Sequence, residues 1–305
     1  MSNSEWSEGV LRLLRKLNSF DEPGSSKPTC VPFIVNGQNV GILQQELVKE
    51  LANYSGTFTL QCNQANQINS VELNEKFKTY DERSEAVLKV VQDLKEKNAF
   101  LTLRYWRNED YDVASGPGQP ALLKVERAAT SLFGVRAYGA HVNGYVKHPE
   151  RGFCIWLGRR SPKKETYPGM WDNVAAGGLG VGFGIRETMI KECYEEASIP
   201  ENIAENMISV GCASYTIEND RGIGKELQYC FDLELPLDFT PKPLDGEMQT
   251  FTLFNIDEIK NLIIQDNFKP NCAAITLDFL VRHGFVTPDN EPKYAEIVQR
   301  MCMWS

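Results

Sequence analysis

The chain has 305 residues, 42% of them hydrophobic, which is enough for one large or two ordinary domains. Its net charge of −9 and its pI near 5.1 argue against nucleic acid or an anionic membrane surface as the main partner. No run of five or more Lys or Arg residues offsets that charge. We therefore expect a small ligand, and an anionic one would need a bound divalent cation on so acidic a protein.

The first twenty residues alternate charged and apolar positions, whereas a secretory signal needs an uninterrupted apolar run. Their periodicity predicts an amphipathic helix with one apolar side, made of Val10, Leu11, Leu14 and Leu17. We expect a cytoplasmic protein, with an organelle presequence as the alternative interpretation of this helix. No later stretch approaches the roughly 20 apolar residues that a membrane span needs.

Eight cysteines are scattered singly along the chain, with no C-x-x-C pair and no His at zinc-finger spacing. This pattern predicts free thiols in a reducing compartment rather than disulfides or a structural zinc site. Only three His residues occur, which also argues against a His-rich metal centre.

The first part of the chain predicts a small α+β domain. After a breaker-rich segment at 21–28, an apolar run turns at Asn36-Gly37 and predicts a hairpin. Helices are predicted near 44–53 and 83–98, and strands at 57–62 and 99–106. The densest Gly/Pro stretch, 114–120, is the predicted boundary. It divides the chain into an N-terminal α+β domain (1–120) and a second domain (121–305).

The second part alternates strands and helices. Strands are predicted at 133–146 and 152–161, followed by a glycine-rich loop at 162–184 and a helix at 186–197. Two more strands flank the turn at 219–222, and helices near 256–264 and 272–283 end the domain. This order predicts an α/β fold, an α/β/α sandwich with a mixed sheet.

Three carboxylates share one side of the predicted helix 186–197. With about 100° per residue, Glu196 lies at about 40° and Glu195 at about −60° from Glu192. Like charges so close repel one another, and a hard dication such as Mg²⁺ would remove the repulsion. Lys191, one turn before Glu195, is placed to orient that carboxylate. Taken alone, such a cluster is better explained as a solvated acidic helix face.

The context of this trio resembles the Nudix box, G-x5-E-x7-R-E-U-x-E-E-x-G-U, in which U is a bulky apolar residue. Placing the two adjacent glutamates on Glu195 and Glu196 puts the opening glycine on Gly177 and the R-E pair on Lys191-Glu192, without a gap. Three positions depart from the pattern: Phe183 for the first Glu, Lys191 for Arg and Ser198 for the second Gly.

Longer stretches resemble one Nudix branch, the Nudix portion of fungal thiamine pyrophosphokinases and stand-alone relatives that include plant plastid Nudix proteins. These relatives carry a domain of unknown function before the Nudix fold, and the substitutions of the first Glu and of Arg are usual among them. The matching stretches are WRNEDYDV (106–113), ERAATSLFGVRAYGAHVNGYV (126–146), WLGRRSPKKETYPGMWDNVAAGG (156–178), KECYEEASIP (191–200) and FKPNCAAITLDFLVRHGFVTPD (268–289).

The resemblance implies hydrolysis of thiamine diphosphate analogues, such as oxo- and oxythiamine diphosphate, to the monophosphate and phosphate. No second large α/β unit follows the Nudix region, so we expect no kinase activity. Glu192, Glu195 and Glu196 are the implied ligands of Mg²⁺, with Mn²⁺ as the alternative, and the backbone at Gly177 is the implied carbonyl ligand. The general base stays open between one of the trio and Glu247.

Six side chains are predicted to contact the substrate: Arg159, Arg160 and Lys191 at the phosphates, and Tyr138, His141 and Asn143 at the heterocycle. For His141 the alternative is a structural, hydrogen-bonded role. A Nudix-fold sensor that binds a nucleotide or thiamine derivative without turnover is the alternative function, and an isomerase on the same fold is a third. The oligomeric state is left open, with a homodimer as one option.

Overall fold

The computed structural model of the chain describes residues 3–301, with Asn3 described by its backbone alone. Met1, Ser2 and Cys302, which belong to segments considered above, lie outside the described residues. The helices are α1 (Asn3–Leu17), α2 (Gln45–Leu51), α3 (Tyr80–Glu96), α4 (Ile185–Ala197), α5 (Glu201–Ala204), α6 (Ile256–Leu262), α7 (Pro270–Arg282) and α8 (Tyr294–Met301). The strands are β1 (Val31–Val35), β2 (Gln38–Leu43), β3 (Phe58–Cys62), β4 (Ile68–Leu73), β5 (Asp110–Val113), β6 (Leu123–Glu126), β7 (Arg136–His148), β8 (Gly152–Arg160), β9 (Trp171–Asp172), β10 (Ala175–Gly178), β11 (Ile208–Asn219), β12 (Gly222–Glu234) and β13 (Met248–Asn255).

The N-terminal part contains a four-stranded sheet in the order β2-β1-β4-β3. Asn36 and Gly37 connect β1 to β2 with φ of 50° and 73°, the left-handed geometry that a two-residue hairpin turn needs, so the predicted hairpin is confirmed. Helix α3 begins with a capping box between Thr79 and Glu82. Its apolar side is buried against β6 and the sheet's core. The smaller α+β domain is therefore present as predicted.

The strand predicted at 99–106 is wrong, since Leu101–Tyr105 forms a short 3-10 helix. Asn98 ends α3 with φ of 52°, and the amide of Leu103 donates to the carbonyl of Phe100 at 3.2 Å. This local bond closes a turn before the chain can extend. Thr102 and Leu103 are the residues that become buried, so the apolar composition reflects core packing rather than sheet pairing.

The second sheet has seven strands, with a path β11-β12-β7-β8-β13. β12 runs parallel to β7, while β8 pairs antiparallel with both β7 and β13, which makes the sheet mixed. Toward the start of β7 and the end of β8 these two strands separate, and β10 pairs with β7 while β9 pairs with β8. The separation brings the chain between β9 and α4 to the middle of the sheet.

Helices cover both faces of this sheet. On one face, Met189 and Cys193 of α4 pack with Ala140 of β7 and Trp156 of β8. On the other face, helices α1, α6, α7 and α8 pack on the alternate residues of the same strands. The predicted α/β/α sandwich with a mixed sheet is confirmed.

Helix α1 belongs to the second of these faces. Val10 and Leu11 are fully buried in the cluster formed by the C-terminal helices, and the Trp6 indole donates to the carbonyl of Lys260 at 2.7 Å. The predicted amphipathic helix is confirmed. Its packing partner lies more than 240 residues away along the chain, which periodicity alone does not reveal.

The position of the domain boundary stays a proposal. β5 and β6 pair with each other across the 114–120 segment, and the N-terminal core that contains Val113 and Leu123 continues to Val135. This packing favours a boundary after Val135 over one at 120. None of the helices described has the length and apolar character of a membrane span. The seven cysteines within residues 3–301 are free thiols.

Candidate active site

A cavity of about 590 Å³ lies where β10, the start of β7 and helix α4 meet. Glu192 and Glu196 border it, together with Gly177 and Glu247. The N-terminal part closes the cavity with residues of the 105–127 segment. Because its wall combines carboxylates, cations and several tyrosines, the cavity suits a polar ligand that carries an aromatic group.

Helix α4 carries the carboxylates, and both of its ends have a defined geometry. It begins after Gly184 and ends at Ser198, whose φ of 55° gives the left-handed cap that glycine usually provides. The Ser198 hydroxyl donates to the carbonyl of Lys242 at 2.8 Å, and the amide of Asp245 donates to the carbonyl of Glu195 at 3.1 Å. The departure from glycine is thus accommodated by a serine that also anchors the 242–247 loop.

Glu196 and Glu192 are the two trio members that face the cavity. Glu196 is 3% exposed and accepts the Ala176 amide at 2.8 Å. Burial raises the pKa of Glu196 well above its usual range, and burial, with the repulsion of Glu195 and Glu247, raises the pKa of Glu192 to about 7. Among residues 3–301, no Lys or Arg lies within ion-pair distance of either group.

These two carboxylates fit a hard divalent cation. A buried carboxylate without a cationic partner costs free energy that a bound dication recovers. A methyl group on Gly177 would lie 2.6 Å from Cγ of Glu192, so the bare backbone at this position makes room for the glutamate. The donor set of carboxylate oxygens and a nearby main-chain carbonyl is the chemistry that Mg²⁺ and Mn²⁺ prefer.

Glu195 has a different environment from its neighbours. Its carboxylate lies 2.8 Å from the Lys191 ammonium, the i,i+4 pair predicted from the sequence. It does not border the cavity, whereas Lys191 does. The structure therefore brings Glu192 and Glu196 together at the cavity and leaves Glu195 on its outer side.

A second group of ligand-type side chains lies deeper in the same region. Within residues 3–301, only His141, Asp172 and Cys272 form a trio whose ligand atoms all lie within 4.8 Å of one another. Asp172 already pairs with Arg160 at 2.6 Å and Lys269 at 3.3 Å, and it accepts the Cys272 thiol at 2.7 Å. Burial raises the pKa of the Cys272 thiol, so it stays protonated. Because two cations already neutralise Asp172 and the Cys272 thiol is protonated, this trio is a hydrogen-bonded cluster rather than a cation site.

The two predicted phosphate-binding arginines lie on opposite faces of β8. Arg160 borders the cavity, but its guanidinium is bound by Asp172 and by the carbonyls of Thr166 and Tyr167 at 2.9 and 3.0 Å. Arg159 lies outside the cavity lining and covers the ring of Trp171 at 4.9 Å. Arg160 therefore braces the loop 166–172, and neither arginine presents an unused guanidinium to the cavity.

The predicted heterocycle contacts on β7 are also divided. Tyr138 and His141 border the cavity, but the sheet's alternation turns them to opposite faces. His141 is 3% exposed with Nδ1 2.9 Å from Oδ1 of Asn173, and burial lowers its pKa to about 4, so it is neutral. Asn143 is fully buried outside the cavity and donates to Asp232 at 3.1 Å. The burial of His141 and its contact with Asn173 favour the structural alternative given for His141, and Asn143 does not reach the cavity.

Glu247 borders the cavity and lies 2.5 Å from the Lys164 ammonium, which borders it too. The amide of Ser161 donates to the carbonyl of Glu247 at 2.8 Å, so the end of β8 fixes the start of β13. Of the residues predicted from the sequence, Glu247 thus shares the cavity with Glu192 and Glu196 although it is more than 50 residues away.

The sequence analysis missed several cavity side chains, among them Tyr111, Arg127, Glu226, Gln228 and Lys269. Three of these five, Tyr111, Arg127 and Lys269, lie in stretches that carry the family resemblance, which is the signal that could have found them. Glu226 and Gln228 lie outside those stretches on a strand with ordinary alternation. No local pattern distinguishes them from other polar residues that face away from a core.

Comparison with known proteins agrees with this arrangement. A family model described as "NUDIX domain" matches residues 138–272, and one described as "Domain of unknown function (DUF4743)" matches residues 9–137. Nudix hydrolase 20, chloroplastic, of Arabidopsis thaliana is 34% identical over 97% of this chain and 79% of its own length. Nudix hydrolase 24, chloroplastic, of the same plant is 36% identical over 89% and 72%.

The uncharacterized protein YJR142W of Saccharomyces cerevisiae is 40% identical over 75% of this chain and 70% of its own length. Nudix hydrolases act on pyrophosphate bonds and generally use a divalent metal ion, in agreement with the carboxylates at the cavity. The chain belongs to the Nudix hydrolase family and carries the Nudix domain behind an N-terminal domain of unknown function.

Proposed function

We propose that this Nudix hydrolase converts thiamine diphosphate analogues, such as oxo- and oxythiamine diphosphate, to the monophosphate and phosphate. The observation that carries the proposal is the shared cavity. Two uncompensated carboxylates on α4 border the same space as Tyr138, Tyr167 and Tyr215. A diphosphate can thus lie at the carboxylates while a flat organic ring meets tyrosine side chains. The long resemblance to the thiamine pyrophosphokinase-related branch supports the thiamine group in particular.

The metal site of this proposal consists of Glu192, Glu196 and the carbonyl of Gly177, with Glu195 as the outer member of the trio. Mg²⁺, or Mn²⁺ in its place, would polarise the bridging phosphate and lower the pKa of a bound water. Neighbouring residues orient these carboxylates: the Ala176 amide donates to Glu196 at 2.8 Å, and the Lys191 ammonium lies 2.8 Å from Glu195. An ammonium has three donors, so Lys191 and Lys164 keep donors for phosphate oxygens.

The general base is proposed to be Glu247, with Glu192 as the alternative. The Lys164 ammonium lies 2.5 Å from the Glu247 carboxylate at the cavity wall, where that carboxylate can accept a proton from water. The two assignments differ in metal dependence. Glu247→Gln should lower kcat at every metal concentration, whereas Glu192→Gln should raise the metal concentration needed for half-maximal rate.

The substrate proposal is tested with a panel of diphosphates that includes thiamine, oxothiamine and oxythiamine diphosphate, a dinucleotide and a nucleoside diphosphate sugar. Phosphate and monophosphate release are measured with Mg²⁺ and with Mn²⁺. If other diphosphates are cleaved while the thiamine derivatives are not, the thiamine proposal is wrong. If Glu196→Gln cleaves the responsive substrates at the parent rate, the assignment of the metal carboxylates is wrong.

The proposed compartment is the cytosol. Helix α1 is part of the fold, with Val10 and Leu11 fully buried and Ser7 bonded to Glu291 at 2.6 Å. A removable presequence would not contribute such contacts, so α1 is better explained as a structural helix. Fluorescence of a C-terminally tagged chain in organelles rather than in the cytosol would contradict this proposal.

A further inference from the structure

The N-terminal domain reaches into the cavity beside the metal carboxylates. Tyr111 of β5 and Arg127, just after β6, both border the cavity. The amide of Arg127 donates to the carbonyl of Glu109 at 2.7 Å, and the amide of Val181 donates to the carbonyl of Asp110 at 3.1 Å. The first bond joins the end of β6 to the start of β5, and the second ties β5 to the loop between β10 and α4, so the wall has a fixed position.

Tyr111 fits closely against β10. A Cβ atom built on Gly178 would lie 1.7 Å from the Tyr111 hydroxyl, and Tyr111 itself is 4% exposed. Burial raises the pKa of Tyr111, so the hydroxyl is protonated. Tyr111 thus lies against Gly178, next to Gly177, and borders the same cavity as Glu192.

Arg127 presents an accessible cation at the same wall. Its guanidinium covers the Tyr111 ring at 5.6 Å and pairs with Glu109 at 2.8 Å, yet 46% of its side-chain surface is accessible. The planar guanidinium is suited both to stacking on a flat ring and to donating hydrogen bonds to its edge.

Glu226 of β12 borders the same cavity as Arg127. Its carboxylate accepts a hydrogen bond from Gln228 at 3.0 Å, and no ion pair joins it to Arg127 or Lys269 within the described residues. The metal proposal does not use this carboxylate. A carboxylate that lines a cavity with one neutral donor is an acceptor available to an N–H group of a ligand.

We propose that the N-terminal domain is part of the substrate site: Tyr111 and Arg127 bind the organic group of the diphosphate against Glu226, and this group is a planar nitrogen heterocycle with an N–H donor. The proposal rests on the proposed function in that a diphosphate occupies the cavity. It assigns substrate selection to a domain that the family model describes only as of unknown function.

The experiment compares Arg127→Met and Glu226→Gln with the parent protein. Arg104→Met is the matched control, because Arg104 is an exposed arginine of the same domain that binds Asn98 and lies outside the cavity lining. The substrate is the heterocyclic diphosphate that the parent cleaves best. Methyl diphosphate, which lacks the ring, is measured as a competitive inhibitor.

Both cavity variants should raise KM for the heterocyclic substrate by about tenfold or more, with kcat changed less than about threefold. The inhibition constant of methyl diphosphate should stay within about twofold, and Arg104→Met should behave as the parent. Arg127→Lys should give a smaller increase in KM, because it keeps the charge and loses the planar group.

An unchanged KM in both cavity variants overturns the proposal, and so does a parallel loss of methyl diphosphate binding. The thiamine proposal can fail separately. If the parent cleaves only diphosphates without thiamine, the same comparison on the cleaved heterocyclic substrate still decides the role of the N-terminal wall. If the parent cleaves no heterocyclic diphosphate, both proposals are wrong.

Discussion

Replacing Glu196 by Gln should change stability and activity in opposite directions. The carboxylate is 3% exposed and accepts the Ala176 amide at 2.8 Å, a bond that a Gln side-chain carbonyl retains. The substitution preserves shape and removes the charge. Without metal that charge has no cationic partner among the described residues, so its removal should make the metal-free protein more stable.

The expected magnitudes follow from the environment of Glu196. A buried carboxyl without a cationic partner costs free energy whether it stays ionised or takes up a proton at a pH above its ordinary pKa, so we expect the free energy of unfolding without metal to rise by about 1–3 kcal/mol. At about 2–4 °C per kcal/mol this raises Tm by several degrees. Loss of one charge from the proposed metal site should lower kcat by about 100- to 1,000-fold, or about 3–4 kcal/mol of transition-state stabilisation.

The assay is thermal unfolding with EDTA and with Mg²⁺, together with phosphate release. Mg²⁺ should raise the Tm of the parent and have little effect on Glu196→Gln. Glu187→Gln is the control, since Glu187 is an exposed glutamate of the same helix. The reasoning is refuted if Glu196→Gln is less stable than the parent in EDTA, or if Mg²⁺ stabilises the variant as much as the parent.

Three further substitutions test the rest of the site. Gly177→Ala would place Cβ 2.6 Å from Cγ of Glu192 and should lower kcat/KM at least about tenfold, while Gly180→Ala, whose nearest neighbour is 3.4 Å away, should not. Asp172→Asn should lower the free energy of unfolding in urea by about 3–5 kcal/mol, because it leaves the buried cations of Arg160 and Lys269 unpaired. A decrease below about 1 kcal/mol would contradict a structural role for the Asp172 cluster. Burial lowers the pKa of His141 from 6.5 to about 4, so the unfolded chain takes up the proton first as the pH falls. Relative to His141→Asn, the parent should therefore lose about 3 kcal/mol of stability between pH 7.5 and pH 4, and a constant difference would show that His141 is not buried neutral.

Periodicity and turn chemistry were sufficient to predict most of the fold. The helix at 186–197, the hairpin at Asn36-Gly37 and the strand pair around residues 219–222 all form where they were expected. These elements depend on local signals, namely 3.6-residue periodicity, left-handed turn residues and alternation. The strand predicted at 99–106 is wrong because the apolar residues of this segment pack into the core from a 3-10 helix. Composition alone does not distinguish such a helix from a buried strand.

The candidate site was predictable only as far as helix geometry goes. The 100° rule places Glu192 and Glu196 on one side of α4, and both do border the cavity. Strand alternation, applied consistently, would have separated Arg159 from Arg160 and Tyr138 from His141, because neighbouring or odd-spaced residues face opposite sides of a sheet. The prediction grouped these residues by their side-chain chemistry and did not consider whether their spacing along the strand was odd or even.

The altered Nudix box can be explained from the structure. Phe183, at the position of the first glutamate, is 62% exposed and lies outside the lining of the main cavity. A carboxylate at that position would therefore not face the cavity in this arrangement. The acidic residues that do face it come from elsewhere: Glu192 and Glu196 from α4, Glu247 from the turn before β13, and Glu226 from β12.

The N-terminal wall is the part that no local pattern could predict. Tyr111 lies in, and Arg127 just after, a hairpin that the sequence analysis did not predict, and both border the cavity because Asp110 of β5 is bonded to the loop that follows β10. That contact depends on tertiary packing between two units, and the local sequence patterns of each unit do not show it. Selection of the organic group would then depend on the N-terminal domain, while cleavage depends on α4. Exchanging the N-terminal domain between relatives should therefore change which diphosphates bind without changing the metal requirement, and an exchange that altered the metal requirement alone would contradict this division.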